Sequence, residues 1–158
     1  MNELRVAIAR HAVMRAPGRL VCIGVGSCVV ITIFDEAAQC GALAHVLLPE
    51  EAPGMAAGHP ARFATTAVPL LVGALRARGA EGPYVAKLAG GAGLFADVLT
   101  SKGRVGERNV LATRAALAAA GIPVVAEDVG GGAGRSVVFD VETGKVAVRK
   151  ASGDTSVL

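Results

Sequence analysis

Residues 19–48 read RLVCIGVGSCVVITIFDEAAQCGALAHVLL. Three apolar runs lie here, cut apart by two short breaks. Arg19–Val25 is nearly all apolar and predicts a strand buried on both faces. Gly26-Ser27 is a tight break. Cys28–Phe34 (CVVITIF) is rich in β-branched residues and predicts a second strand. Asp35–Gln39 is a polar loop, and Gly41–Leu48 (GALAHVLL) a third strand, stopped by Pro49.

Outward from this block, Leu4–Ala9 reads as a strand and Pro17-Gly18 as a turn. The stretch 50–60 (EEAPGMAAGHP) is a Gly/Pro loop. Residues 61–78 carry helical spacing: Phe63, Ala67, Leu70 or Leu71, Ala74 and Leu75 share a face. Pro69 predicts a kink or a late start, because it removes a helix hydrogen bond. Gly79 is placed to cap the C-terminus. Tyr84–Ala89 is a strand leading into Gly90-Gly91-Ala92-Gly93. Glu107–Ala120 is an alanine-rich helix ended by Gly121 and Pro123. Ile122–Glu127 is a strand before a second glycine run at 130–134, and Ser136–Val141 with Lys145–Lys150 form a hairpin. The last residues read as frayed. Strands fall in groups with two helices between them. The expectation is therefore a single α/β (α+β) domain over 1–158, with layered mixed sheets and outer helices.

The chain is 53% hydrophobic, 18% charged and 3% aromatic, with no Trp. Its core must be built from Val, Leu, Ile and Ala. The net charge of +3 is scattered, with no basic run longer than two, which argues against nucleic-acid binding. The longest uncharged apolar stretch, Leu20–Phe34, is too short and too glycine-broken for a membrane span. No signal peptide is evident. Three cysteines, an odd number, point to reduced thiols in a cytoplasmic chain. Nothing in the sequence suggests an obligate oligomer.

Cys28 and His45 are the candidate chemical pair. A catalytic thiol needs a base, and of His11, His45 and His59 only His45 interrupts an apolar strand. The two strands are consecutive and joined by a short loop, so they should pair antiparallel. If opposed positions sum to 73, Cys28 and His45 are directly opposite, with Cβ atoms within about 5.5 Å. A sum of 75 makes them diagonal neighbours, and an even sum sends them to opposite faces. The Gly-rich turn exposes backbone N–H groups beside the sulfur, with Ser27 and Cys28 the candidate oxyanion donors. A free Cys also packs as a small hydrophobe. Composition and spacing alone favour that plainer reading for Cys28, and for Cys22 and Cys40. The set Cys22, Cys28, Cys40 and His45 lacks the spacing of a zinc site, so no metal is expected. The glycine runs at 90–93 and 130–134 lack phosphate-loop signatures and read as tight turns, so no cofactor is expected.

GVGSCVV, AHVLLP, KLAGGAGLF, VGERN and EDVGGGAGRSVVFDVETGKVAV, in that order, resemble the CheD family of chemoreceptor glutamine deamidases. The resemblance runs from about Gly18 to Arg149. It implies a cytoplasmic cysteine hydrolase of bacterial chemotaxis that converts receptor glutamines to glutamates through a thioester, in a fold of two packed sheets with outer helices. It implies receptor cytoplasmic helices as substrate and a CheC-type phosphatase as partner. It places the nucleophile on Cys28 and the general base on His45. The family's third residue, a Thr that orients the His, falls on Cys22. A Cys sulfur is a weaker acceptor than a hydroxyl, and a backbone carbonyl is the alternative partner for the imidazole. Gly132 and Thr65 stand where the family often has Asn and Asp. A second reading is a catalytically weak binding module that docks on CheC or receptor helices.

Overall fold

The computed structural model describes residues 2–53, 58–93 and 104–158. Leu94 and Phe95 of the KLAGGAGLF motif, and residues 54–57 of the Gly/Pro loop, lie outside that range. Ten strands are described: β1 (Asn2–Arg5), β2 (His11–Arg15), β3 (Gly18–Val25), β4 (Val29–Asp35), β5 (Cys40–Val46), β6 (Val85–Gly90), β7 (Val124–Val129), β8 (Arg135–Asp140), β9 (Val146–Lys150) and β10 (Thr155–Val157). Helix α1 spans Ala64–Ala77, after a 3-10 turn at Pro60–Arg62, and α2 spans Val105–Ala119.

The strands form two five-stranded sheets, ordered β1-β3-β8-β9-β10 and β2-β5-β4-β6-β7. The pairs β1–β3 and β6–β7 are parallel and the others antiparallel. The second sheet is the middle layer. One of its faces meets the first sheet through Val30 and Leu43, packed with Leu20, Val25, Val137 and Phe139. Its other face meets the helices through Ile31, Ile33, Ala42 and Ala44, packed with Ala67, Leu71 and Leu117. This explains why CVVITIF does not alternate: every residue of β4 is buried, because both faces are covered. The expected layered α+β architecture is the observed one.

Three local expectations are corrected. The strand expected over 4–9 is two strands in different sheets, joined by a turn in which Ala9 has a φ of 63°. No glycine marked that left-handed position. The C-terminal residues expected to fray form β10, paired with β9 through Thr155↔Arg149 and Val157↔Ala147. Pro69 lies within a continuous α1, which starts at Ala64, later than position 61. The Thr65 carbonyl that Pro69 cannot pair is on the exposed side of the helix, where solvent is available.

Candidate active site

The chain passes from the first sheet to the second at Gly26-Ser27-Cys28, between β3 and β4. Val25 pairs with Arg135 at one side of this corner, and Val29 pairs with both Val46 and Gly90 at the other. The corner, the end of β5 and both glycine runs therefore meet at one end of the sandwich. The runs interlock through Gly130 N–H to the Gly90 carbonyl at 2.9 Å and Gly93 N–H to the Gly131 carbonyl at 2.8 Å. Gly90 needs to be glycine twice over. Its φ is 113°, and a Cβ there would overlap the Cys28 carbonyl oxygen.

The β4–β5 register sets Val30 opposite His45 and Val29 opposite Val46, so opposed positions sum to 75. The sum is odd, which makes Cys28 the diagonal neighbour of His45 on the same face. That face looks into the inter-sheet layer, where Cys22 and Cys28 share one core cluster. Cys28 is 5% exposed and His45 1%. Cys40 points to the helix-facing core instead, so the four-residue zinc set is not assembled. His11 opposes Ala44 on that same helix-facing side, and its ring lies 5.2 Å from that of His59. Neither shares a face with Cys28.

The turn after β1 clamps His45 at three points. His45 Nδ1 lies 3.3 Å from the Val6 carbonyl, Ala9 N–H donates to the His45 carbonyl at 2.8 Å, and His45 N–H donates to the Arg10 carbonyl at 3.1 Å. A carbonyl only accepts, so Nδ1 carries the ring proton and Nε2 is the bare lone pair. Nε2 is buried, and among the described residues it has no hydrogen-bond partner. Burial pushes the His45 pKa below its ordinary value, with the Val6 carbonyl opposing. Burial pushes the Cys28 thiol up, opposed by its own backbone N–H. Cys22 is pushed up to about 12 by burial and then by neighbouring Cys28. The resting pair is thus a neutral thiol beside a neutral imidazole.

Three successive carbonyls at the corner are held. Gly26 accepts from Ala92 N–H at 3.0 Å and Cys28 from Gly91 N–H at 2.7 Å. Ser27 accepts from Asn109 Nδ2 at 2.9 Å, and the same Nδ2 donates to the Leu47 carbonyl at 3.0 Å. Among the described residues, neither the Ser27 nor the Cys28 N–H donates to a backbone carbonyl. The sequence pointed to neither Asn109 nor Val6. Asn109 stood inside VGERN without a role, and a main-chain acceptor such as Val6 leaves no side-chain signal.

Comparison with known proteins agrees with this architecture. The family model described as CheD chemotactic sensory transduction matches residues 47–150. A probable chemoreceptor glutamine deamidase CheD of Moorella thermoacetica is 45% identical, over 94% of this chain and 90% of its own length. The chemoreceptor glutamine deamidase CheD of Thermotoga maritima is 44% identical, over 94% of this chain and 92% of its own. A probable counterpart in Pyrococcus abyssi is 40% identical, over 96% of this chain and 94% of its own. The family match begins just after His45, but the similarity to relatives leaves too few residues unaligned to exclude the Cys28–His45 region. The chain belongs to the CheD family.

Proposed function

We propose that this protein is a chemoreceptor glutamine deamidase in which Cys28 is the nucleophile and His45 the general base. The observation that carries the reading is the placement of a bare, buried His45 Nε2 and the Cys28 side chain on one face, at the corner where the sheets join. His45 takes the thiol proton as sulfur attacks the amide carbon. The oxyanion forms beside the Ser27 and Cys28 N–H groups. His45 returns the proton to the departing nitrogen, and ammonia leaves a thioester. Water, deprotonated by the same imidazole, cleaves the thioester to the glutamate carboxylate and regenerates the thiol. The Val6 carbonyl takes the orienting role that the resemblance gave to position 22. No helix among the described residues is long and apolar enough to cross a membrane, in keeping with action on the cytoplasmic part of receptors.

The test is ammonia release from a chemoreceptor cytoplasmic fragment, with Gln-to-Glu conversion read by mass spectrometry. Wild type should convert it, and Cys28→Ala and His45→Ala should each lose at least about 10³-fold in kcat/KM. Cys28→Ala with wild-type activity overturns the reading. Docking on a CheC-type phosphatase is the second function, favoured by the burial that raises the Cys28 thiol. Where docking dominates, Cys28→Ala binds CheC as wild type does while wild type shows no ammonia release.

A further inference from the structure

We infer that Asn109 is a positioning residue for this reaction: it holds the Ser27–Cys28 peptide so that the Cys28 N–H faces the developing oxyanion. The inference rests on the Cys28–His45 reading above. In a trans peptide the C=O and the N–H of the following residue point in opposite directions. Fixing a carbonyl therefore aims an N–H. The Ser27 N–H belongs to the peptide whose Gly26 carbonyl is held by Ala92 N–H, and the Cys28 N–H to the peptide whose Ser27 carbonyl is held by Asn109. Of the three held carbonyls at the corner, only that of Ser27 is held by a side chain.

The amide's orientation follows from chemistry. Both partners, the Ser27 and Leu47 carbonyls, are acceptors, so the atom facing them must be the nitrogen. Leu47 follows β5, two residues beyond His45, and Ser27 precedes Cys28. One fully buried side chain on α2 thus ties the nucleophile's peptide to the base's strand. Its Oδ1 is buried without a partner among the described residues. An unpaired buried acceptor is unfavourable, so packing alone gives no reason for Asn there.

The experiment compares Asn109→Ala with wild type by two readouts. One is steady-state deamidation of a chemoreceptor cytoplasmic fragment. The other is alkylation of Cys28 by iodoacetamide, followed on the Cys28 peptide by mass spectrometry. Alkylation displaces iodide at a saturated carbon. It uses the thiol and its base but develops no oxyanion. Loss of a direct oxyanion donor costs about 10²–10³ in kcat, and a misaimed donor should cost about 10- to 100-fold. The expected result is that loss in kcat, with KM and the alkylation rate within about threefold of wild type. Asn109→Ser, which keeps one donor, should recover part of kcat, and it is read by the same split if Asn109→Ala does not fold. A kcat within about threefold of wild type overturns the inference, as does a parallel fall of kcat and alkylation, which is what mere support of the fold produces. Failure of the underlying reading looks different: wild type then releases no ammonia, or Cys28→Ala releases as much.

Discussion

His45 owes its tautomer to a main-chain acceptor, the Val6 carbonyl at 3.3 Å from Nδ1. A hydroxyl at position 22 would add little to an imidazole already held. Cys22→Thr should therefore change kcat/KM by less than about threefold, while burying a hydroxyl in an apolar layer costs about 1–3 kcal/mol of stability. A tenfold gain in kcat/KM would show that the carbonyl is a poor substitute. The neutral resting pair also fixes the pH profile. His45 must be unprotonated to accept, and burial holds its pKa below 6.5. So kcat/KM should rise with a midpoint below 6.5 and stay flat through neutral pH. A midpoint near the ordinary thiol value of 9.0 would mean that the thiolate forms without the imidazole. The same groups bear on folding with opposite signs. The folded state prefers neutral His45, so its contribution is present above 6.5 and lost as pH falls through that value toward the lower folded pKa. Cys22 and Cys28 prefer the thiol form, so their contribution is lost as pH rises above 9.0.

The corner between β3 and β4 works because other elements approach it without side chains. Gly90 on β6 is the tightest such approach, and Gly144, in the β8–β9 turn, is its counterpart at the far end of the sandwich. Both have positive φ, and a Cβ on Gly144 would strike the Phe34 ring. Gly90→Ala and Gly144→Ala should each cost about 2–4 kcal/mol in urea melts, from overpacking and backbone strain. They should differ in activity. Gly90→Ala moves the Cys28 carbonyl and should lower kcat of the folded protein at least about tenfold, whereas Gly144→Ala should leave it within about twofold. Equal kcat losses would mean that the corner responds to general loosening. Much of this was legible beforehand. The uniform apolarity of β4 announced its two covered faces, and the odd-even rule for β4 and β5 reduced the Cys28–His45 question to one number. The number itself was not legible, because both faces of β4 are apolar and hydrophobic pattern cannot choose between registers. The split of the first strand was hidden by an alanine in a left-handed turn. β10 was hidden because a three-residue strand on β9 takes its order from the partner edge.

The two sheets are pinned to one another differently at their two ends. At the far end, Phe34 of the middle sheet meets Phe139 of the outer sheet edge to face, with centroids 6.0 Å apart. At the end that holds the candidate site, the pin is polar. Asp128 on β7 of the middle sheet faces three residues of the outer sheet: Arg135 at 3.3 Å, Lys150 at 3.7 Å and Ser156, whose hydroxyl donates at 2.9 Å. The Arg135 side chain is only 1% exposed, and its other partners are the Gly90, Gly130 and Ala133 carbonyls. Removing Asp128 leaves a buried cation among neutral acceptors. Breaking a buried pair in this way costs about 3–5 kcal/mol, and the three carbonyls hold the cost near the lower end. Half-exposed Lys150 adds little, since solvent screens it. Asp128→Ala should therefore lose about 3 kcal/mol in urea melts. The loss should barely change between about 0.1 and 0.5 M salt, because a buried pair is screened far less than a surface one. A loss below about 1 kcal/mol would mean that the glycine-turn carbonyls satisfy Arg135 unaided, and that the polar end of the sandwich is held by its main chain, as the corner beside Cys28 largely is.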